Sequence, residues 1–213
     1  MSQRIASLSV LLVMVAVVIG SGCLWGGGPS RVHPPSISAS AAASGAMDQY
    51  DTDKDGVVKG PELDKAPSLK AAIKQLDTNG DGGVSADEVS ARVKAWQDSK
   101  VGKMSLSCMV KLNGRPLSGA KVTFEPEKFL GTEVKACSGT TDANGIANPS
   151  VPVEGDDPGG AACGLYLVRV SKQEGGKELI PAKYNTQTTL GKELALDAAE
   201  MQEGMLHFEL TSP

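Results

Sequence analysis

Residues 51–62 (DTDKDGVVKGPE) and 77–88 (DTNGDGGVSADE) repeat one oxygen-rich spacing twice. Asp51, Asp53, Asp55, Gly56 and Glu62 stand at positions 1, 3, 5, 6 and 12 of the first stretch. Asp77, Asn79, Asp81, Gly82 and Glu88 stand at the same positions of the second. Side-chain oxygens on alternate residues of a tightly curled loop can all point inward, around a hard cation that takes about six to eight oxygens. A glycine at position 6 allows the sharp turn, and the final glutamate can close the shell with two oxygens. An apolar residue at position 8 of each stretch, Val58 and Val84, suits a short β-bridge joining the two loops. So strict a repeat commits this part of the chain to two helix–loop–helix units facing each other.

Both loops resemble EF-hands, and residues 47–100 look like a two-EF-hand module. The resemblance implies two Ca²⁺ sites. Dockerins carry a similar loop pair, but generally end the loop in Asp and lack a helix entering the first loop. Glu62 and Glu88 therefore favour EF-hands. The flanks fit entering and leaving helices. Met47 and Tyr50 precede the first loop as Ile73 and Leu76 precede the second, and Val89, Val93 and Trp96 continue an apolar stripe at i, i+4, i+7. Pro67 must end or interrupt the helix leaving the first loop, and Ser68 is a plausible cap for the next.

The predicted ligand set is Asp51, Asp53, Asp55, Val57, Lys59 and Glu62 in loop 1, and Asp77, Asn79, Asp81, Gly83, Ser85 and Glu88 in loop 2. Val57 and Gly83 supply the carbonyl at position 7. Lys59 holds position 9 of loop 1, where its charge handicaps the site. Between 47 and 100, eleven acids face eight bases. Seven of those acids are predicted ligands, so bound cations relieve their repulsion and binding contributes to folding. Extracellular modules of this type bind Ca²⁺ at roughly 10⁻⁴ to 10⁻³ M. That range is expected here, for a structural ion rather than a signalling sensor.

The N-terminus sets the expected location. Residues 1–22 combine Arg4 with an apolar run ending near Ile19 and a small-residue stretch, as a secretory signal does. The run is about 15 residues, short of the roughly 20 a spanning helix needs. Gly20-Ser21-Gly22-Cys23 resembles a bacterial lipobox, although Gly20 stands where Leu is usual. The resemblance implies lipidation of Cys23 and membrane anchoring outside the cytoplasm, facing periplasm or cell surface. Ordinary signal cleavage is the alternative. Residues 23–46 are rich in Gly, Pro, Ser and Ala and carry one charge, Arg31. They read as a disordered tether, whose Ala-rich end from about Ala39 could begin the first helix. His33 lies in it and receives no role.

From about residue 104 the pattern turns strand-like. Ser105–Leu112 and Ala120–Phe124 flank the hairpin signal Asn113-Gly114, and Asp142–Gly145 marks a second turn. Further strands fit Gly164–Ser171, Lys192–Leu196 and Met205–Leu210, an antiparallel β-sandwich in outline. In the last, Leu206, Phe208 and Leu210 face inward and His207 outward. NGRPLSGAKVTFEPE, GTTDANGIA, GLYLVRVSK and IPAKYN resemble the transthyretin-like, carboxypeptidase-regulatory-like domains of planctomycete lipoproteins, over about 105–211. That resemblance implies a seven-stranded prealbumin-like sandwich and says almost nothing about chemistry. The expected fold is thus α+β and multidomain, with an EF-hand pair at 47–100 and a sandwich at 104–213. Exported chains form disulfides. Of the three pairings open to Cys108, Cys137 and Cys163, Cys137–Cys163 is preferred, with Cys108 as a buried apolar residue.

Function classes narrow by absence of motifs. The chain has two His and no G-x-S-x-G, H-E-x-x-H or P-loop. The visible acid pairs are committed as metal ligands. No enzyme activity is expected. A net charge of −4 with few aromatics argues against nucleic-acid binding. Three non-enzymatic readings stay open: a calcium-stiffened module presenting a sandwich that binds a protein or glycan, a structural envelope component with no specific ligand, and a calcium-dependent regulator of a partner protein.

Overall fold

The computed structural model describes residues 33–152 and 159–212. The expected signal peptide, Cys23 and the tether up to residue 32 lie outside the described residues. The described residues belong to one compact unit, Arg31–Pro213. Residues on both sides of the expected boundary near 100–104 fall in that same unit.

Helix α1 (Ala39–Tyr50) starts at Ser38, whose Oγ accepts a bond from the Ala41 amide at 3.3 Å. Such a cap contributes about 1 kcal/mol. The buried face of α1 is Ala42, Ala43, Ala46 and Tyr50. The expected tether therefore ends before residue 39. Its alanines are small enough to let α1 lie close against α4 (Ala86–Asp98), and Gln97 Nε2 on α4 donates to the Ile37 carbonyl at 2.7 Å. Strands β1 (Val57–Lys59) and β2 (Gly83–Ser85) pair antiparallel with Val58 opposite Val84, both fully buried. This is the expected bridge between the loops. Between them lie a 3₁₀ turn at Leu63–Lys65 and the short helices α2 (Pro67–Ala71) and α3 (Ile73–Leu76). Pro67 begins α2 at its first position, where no amide is needed. Ser68 is not the cap; it sits inside the helix, fully buried. Val89, Val93 and Trp96 of α4 are buried as the periodicity requires, each contributing on the order of 2 kcal/mol.

Two sheets follow. The first runs β11 (Gly191–Leu194), β8 (Gly164–Ser171), β5 (Lys121–Pro126), β6 (Cys137–Thr140), all antiparallel. The second is built on β3 (Cys108–Leu112), which pairs with β4 (Arg115–Pro116), β7 (Ile146–Ala147) and β12 (Leu206–Leu210). A separate ribbon joins β9 (Gln173–Glu174) to β10 (Lys177–Glu178), and α5 (Ala199–Gln202) precedes β12. The sheets share a core through Phe124, whose ring lies edge-on to Tyr166 at 6.3 Å and to Phe208 at 6.1 Å. His207 is exposed between buried Leu206 and Phe208, as alternation predicts.

Three expectations are corrected here. The Asn113-Gly114 turn is present, with φ of 52° and 76°, but its return strand is Arg115–Pro116; Lys121–Pro126 crosses to the other sheet. Not every pairing is antiparallel, because β12 runs parallel to β3. The Cys137–Cys163 bridge is not formed; Cys108, Cys137 and Cys163 are all free and buried. Cys137 lies inside the pairing with Phe124, and Cys163 directly precedes β8. Burial pushes the Cys108 and Cys137 thiols up to about 12 and Cys163 to about 11, so at neutral pH they behave as small apolar groups.

Candidate metal centre

The two loops repeat one hydrogen-bond plan. Asp51 caps the end of α1, its amide donating to the Met47 carbonyl, and Asp77 ends α3 with its amide on Ile73. In each loop the position-6 glycine donates to the first aspartate: Gly56 to Asp51 Oδ2 and Gly82 to Asp77 Oδ2, both at 2.9 Å. These glycines have φ of 89° and 82°, values that side-chain-bearing residues rarely adopt. In each loop the closing glutamate reaches back to the second residue. Glu62 Oε1 accepts from the Thr52 amide at 2.6 Å and hydroxyl at 2.8 Å. Glu88 Oε1 accepts from the Thr78 amide at 2.9 Å and hydroxyl at 3.2 Å.

Loop 1 draws Asp51, Asp53 and Asp55 together, with an oxygen from each within 4.8 Å of the others. Asp55 accepts from the Val57 amide at 3.0 Å, and Asp53 accepts from the Asp55 amide at 3.1 Å. Asp51 Oδ1 is buried and makes no hydrogen bond. A carboxylate oxygen shut away from water without a donor is costly unless something positive meets it. A divalent cation fits that requirement, and the donor set is the all-oxygen one that Ca²⁺ takes.

Position 9 separates the loops. Lys59 Nζ lies 2.6 Å from Asp55 Oδ2. Its ammonium has no lone pair to offer a metal, so Lys59 is a competitor for Asp55 and not the side-chain ligand expected at that position. The Lys59 pair, through hydrogen bond and charge, also holds the Asp55 carboxyl below its usual range. Ser85 in loop 2 does the opposite. Its amide and hydroxyl both donate to Glu88 Oε2 at 2.9 Å, completing a capping box that starts α4. Burial would raise the Glu88 carboxyl, but bonds from Ser85, Thr78 and Asn79 outweigh it and hold it low. The Thr52 bonds do the same for Glu62. Both closing carboxylates are thus kept ionised, as metal ligands must be.

Position 4 adds a second difference that the spacing argument missed. It holds Lys54 at φ 60° in loop 1 and Gly80 at φ 76° in loop 2. The left-handed conformation costs about 1 kcal/mol or more for a side-chain-bearing residue and little for glycine. In loop 2, Asp77 Oδ1 takes the Gly80 and Asp81 amides at 2.6 and 3.1 Å, while Asn79 Nδ2 donates to Asp81 Oδ2 at 2.9 Å. Asp81 Oδ1 accepts the Gly83 amide at 2.9 Å.

Four residues around the loops were invisible to motif reading. Glu127, in the turn after β5, is almost fully buried and accepts bonds from helices on both sides of loop 1. Arg92 on α4 donates from Nε to Glu193 Oε1 at 2.5 Å and clasps Asp197 with both terminal nitrogens at 2.7 and 2.8 Å. Trp96 Nε1 adds a bond to Glu193 Oε1 at 2.9 Å. Arg92 stands three residues after Val89, on the apolar stripe, so a charge at a core position was the available signal. Glu127 gave none.

Among the described residues, no helix is long and apolar enough to cross a membrane. Searches of curated proteins and of solved structures find no match for the chain. The EF hand family model matches residues 69–93, from α2 through the second loop into α4, so the stretch whose hydrogen bonds are the more complete is also the one similar to EF hands.

Proposed function

We propose that the protein binds calcium through both loops, and that the ions serve structure rather than signalling. The observation that carries this is the buried, unpartnered Asp51 Oδ1 within the triad of carboxylates. In this reading Asp51, Asp53, Asp55 and Glu62 hold one ion, with the Val57 carbonyl. Asp77, Asn79, Asp81 and Glu88 hold the other, with the Gly83 carbonyl and a position-9 contribution from Ser85. The ion itself supplies charge neutralisation and cross-linking of the loop. Support for two sites comes from the hydrogen-bond plan that loop 1 shares with the loop carrying the family match. Calcium titration followed by calorimetry should give two events with dissociation constants of roughly 10⁻⁴ to 10⁻³ M. Glu88→Gln should abolish one and Glu62→Gln the other. A parent protein that takes up no calcium at 10 mM, about ten times the weak end of that range, would overturn the reading.

Loop 2 is the tighter site in this account. Lys59→Ser should strengthen loop 1, about threefold to tenfold, by freeing Asp55 and removing a like charge from the ion; unchanged loop 1 affinity in the same titration would reject Lys59 as the handicap.

The setting we infer is a membrane anchor outside the cytoplasm, facing periplasm or cell surface, on the strength of the signal-like N-terminus and Cys23. Labelling with a radioactive fatty acid, lost in Cys23→Ser, tests the anchor. We further propose a non-catalytic role, with the sheets binding a protein or glycan or serving the envelope mechanically. The shortage of histidines and the use of loop acids as ligands support it.

A further inference from the structure

The geometry points to Glu127 as the positioning residue of the first calcium site, acting from the β-sheet region on both helices that frame loop 1. The inference rests on the calcium reading of that loop. Tyr50, the last residue of α1, donates its hydroxyl to Glu127 at 2.9 and 3.0 Å. Ser68 of α2 donates to the same carboxylate at 2.5 Å, and Gln49 at 3.3 Å. Tyr50 is bonded covalently to Asp51, the first predicted ligand. Ser68 follows Glu62, the last, across one 3₁₀ turn. One buried acid group thus fixes the entry and the exit of loop 1 relative to each other.

The surroundings leave little play. The Tyr50 ring stands edge-on to Phe129 at 6.4 Å. A Cβ placed on Gly45 of α1 would come within 2.8 Å of the Phe129 Cβ, so α1 is pressed onto the turn that carries Glu127. Loop 2 is held differently. Among the described residues its exit helix is tied to Glu193 through Arg92 and Trp96, and no single acceptor spans both of its helices. The donors converge on Glu127 from two helices whose separation sets where Asp51 and Glu62 stand. Calcium affinity at loop 1 and the seating of α1 and α2 on the strands are then reciprocally linked. A ligand shell held by packed neighbours binds more tightly than one that must be ordered on binding.

Calcium titration of the full chain by nuclear magnetic resonance, with the Gly56 and Gly82 amides as separate reporters, tests this. Tyr50→Phe and Ser68→Ala each remove one donor and keep the fold's volume. Each should weaken calcium at the Gly56 reporter by about tenfold and at the Gly82 reporter by less than about twofold. Glu127→Gln, which keeps an acceptor, should fall between the parent and Glu127→Ala at Gly56. Equal weakening at both reporters, or none at Gly56, would overturn the proposal. A parent whose Gly56 amide does not respond to calcium would remove the first site itself, and the inference with it; a responding parent whose variants bind calcium at Gly56 as tightly as it does would remove only the inference.

Discussion

Gly191→Ala is expected to destabilise the protein by roughly 3 kcal/mol or more. Strand β11 passes the start of α2 so closely that a Cβ on Gly191 would run into the Pro67 carbonyl and the Ser68 amide nitrogen. These are backbone atoms of a helix turn fixed by a proline, and no rotamer change relieves the overlap. Either α2 lifts from the sheet or β11 shifts its register on β8. Lifting α2 also withdraws Ser68 from Glu127, so calcium affinity at loop 1 should fall with stability. In a thermal melt, 3 kcal/mol corresponds to a drop of roughly 6–12 °C for a chain of this size. A fall of less than about 2 °C would mean that α2 is not seated on β11.

Arg92→Met is expected to cost about 3–5 kcal/mol at neutral pH, because it leaves a buried carboxylate without its cation. The Arg92 and Glu193 side chains are 9% and 3% exposed, so solvent cannot replace the lost partner. Trp96 still donates to Glu193 Oε1, but Glu193 Oε2 already lacks a hydrogen bond. Asp197, largely exposed, loses its bidentate contact at little cost. The penalty should depend on pH with a definite sign. Burial holds the Glu193 carboxyl above its usual value, even though bonds and charge from Arg92 and a bond from Trp96 pull it down. A raised folded-state value means the folded protein holds the proton longer than the unfolded chain. The associated stability is present below the unfolded carboxyl value and is lost as pH rises through the folded one. Removing Arg92 widens that window. Urea denaturation of parent and variant should therefore diverge progressively as pH rises from 4 to 8, and a pH-independent difference would sink the account.

Legibility in the sequence divided by range. The loops were readable because their chemistry is local: oxygens on alternate residues, a glycine where φ must be positive, a glutamate at a fixed distance along the chain. Val58 opposite Val84 and the buried stripe of Val89, Val93 and Trp96 followed from the same short periods. The handicap proposed for loop 1 was half readable. Lys59 signalled it, whereas the left-handed Lys54 emerged only from the backbone. Errors began where pairing spans distance. Asn113-Gly114 announces a turn but cannot say that the returning chain contributes only Arg115 and Pro116 before Lys121–Pro126 joins the other sheet. The parallel pairing of β12 with β3 joins residues nearly a hundred apart and leaves no local mark. The preferred cysteine pair failed for the same reason, since proximity in space was inferred from position near strand ends.

For residues 39–46 the composition supported two readings, the end of a tether and the start of the first helix, and α1 bears out the second. Small, uncharged residues usually cannot bury enough surface to order a segment. Here Ala42, Ala43, Ala46 and Gly45 are ordered because α4 and Phe129 come close enough to need small neighbours. By itself, the sequence determined that two oxygen-lined loops would form, where they lie, and which helix faces turn inward, because each depends on residues a few positions apart. Tertiary structure alone decided that the loops are fastened to the sheets. Glu127 and Glu193 are unremarkable acids in the chain, and become anchors only where burial removes water and leaves Tyr50, Ser68, Arg92 and Trp96 as their hydrogen-bond donors.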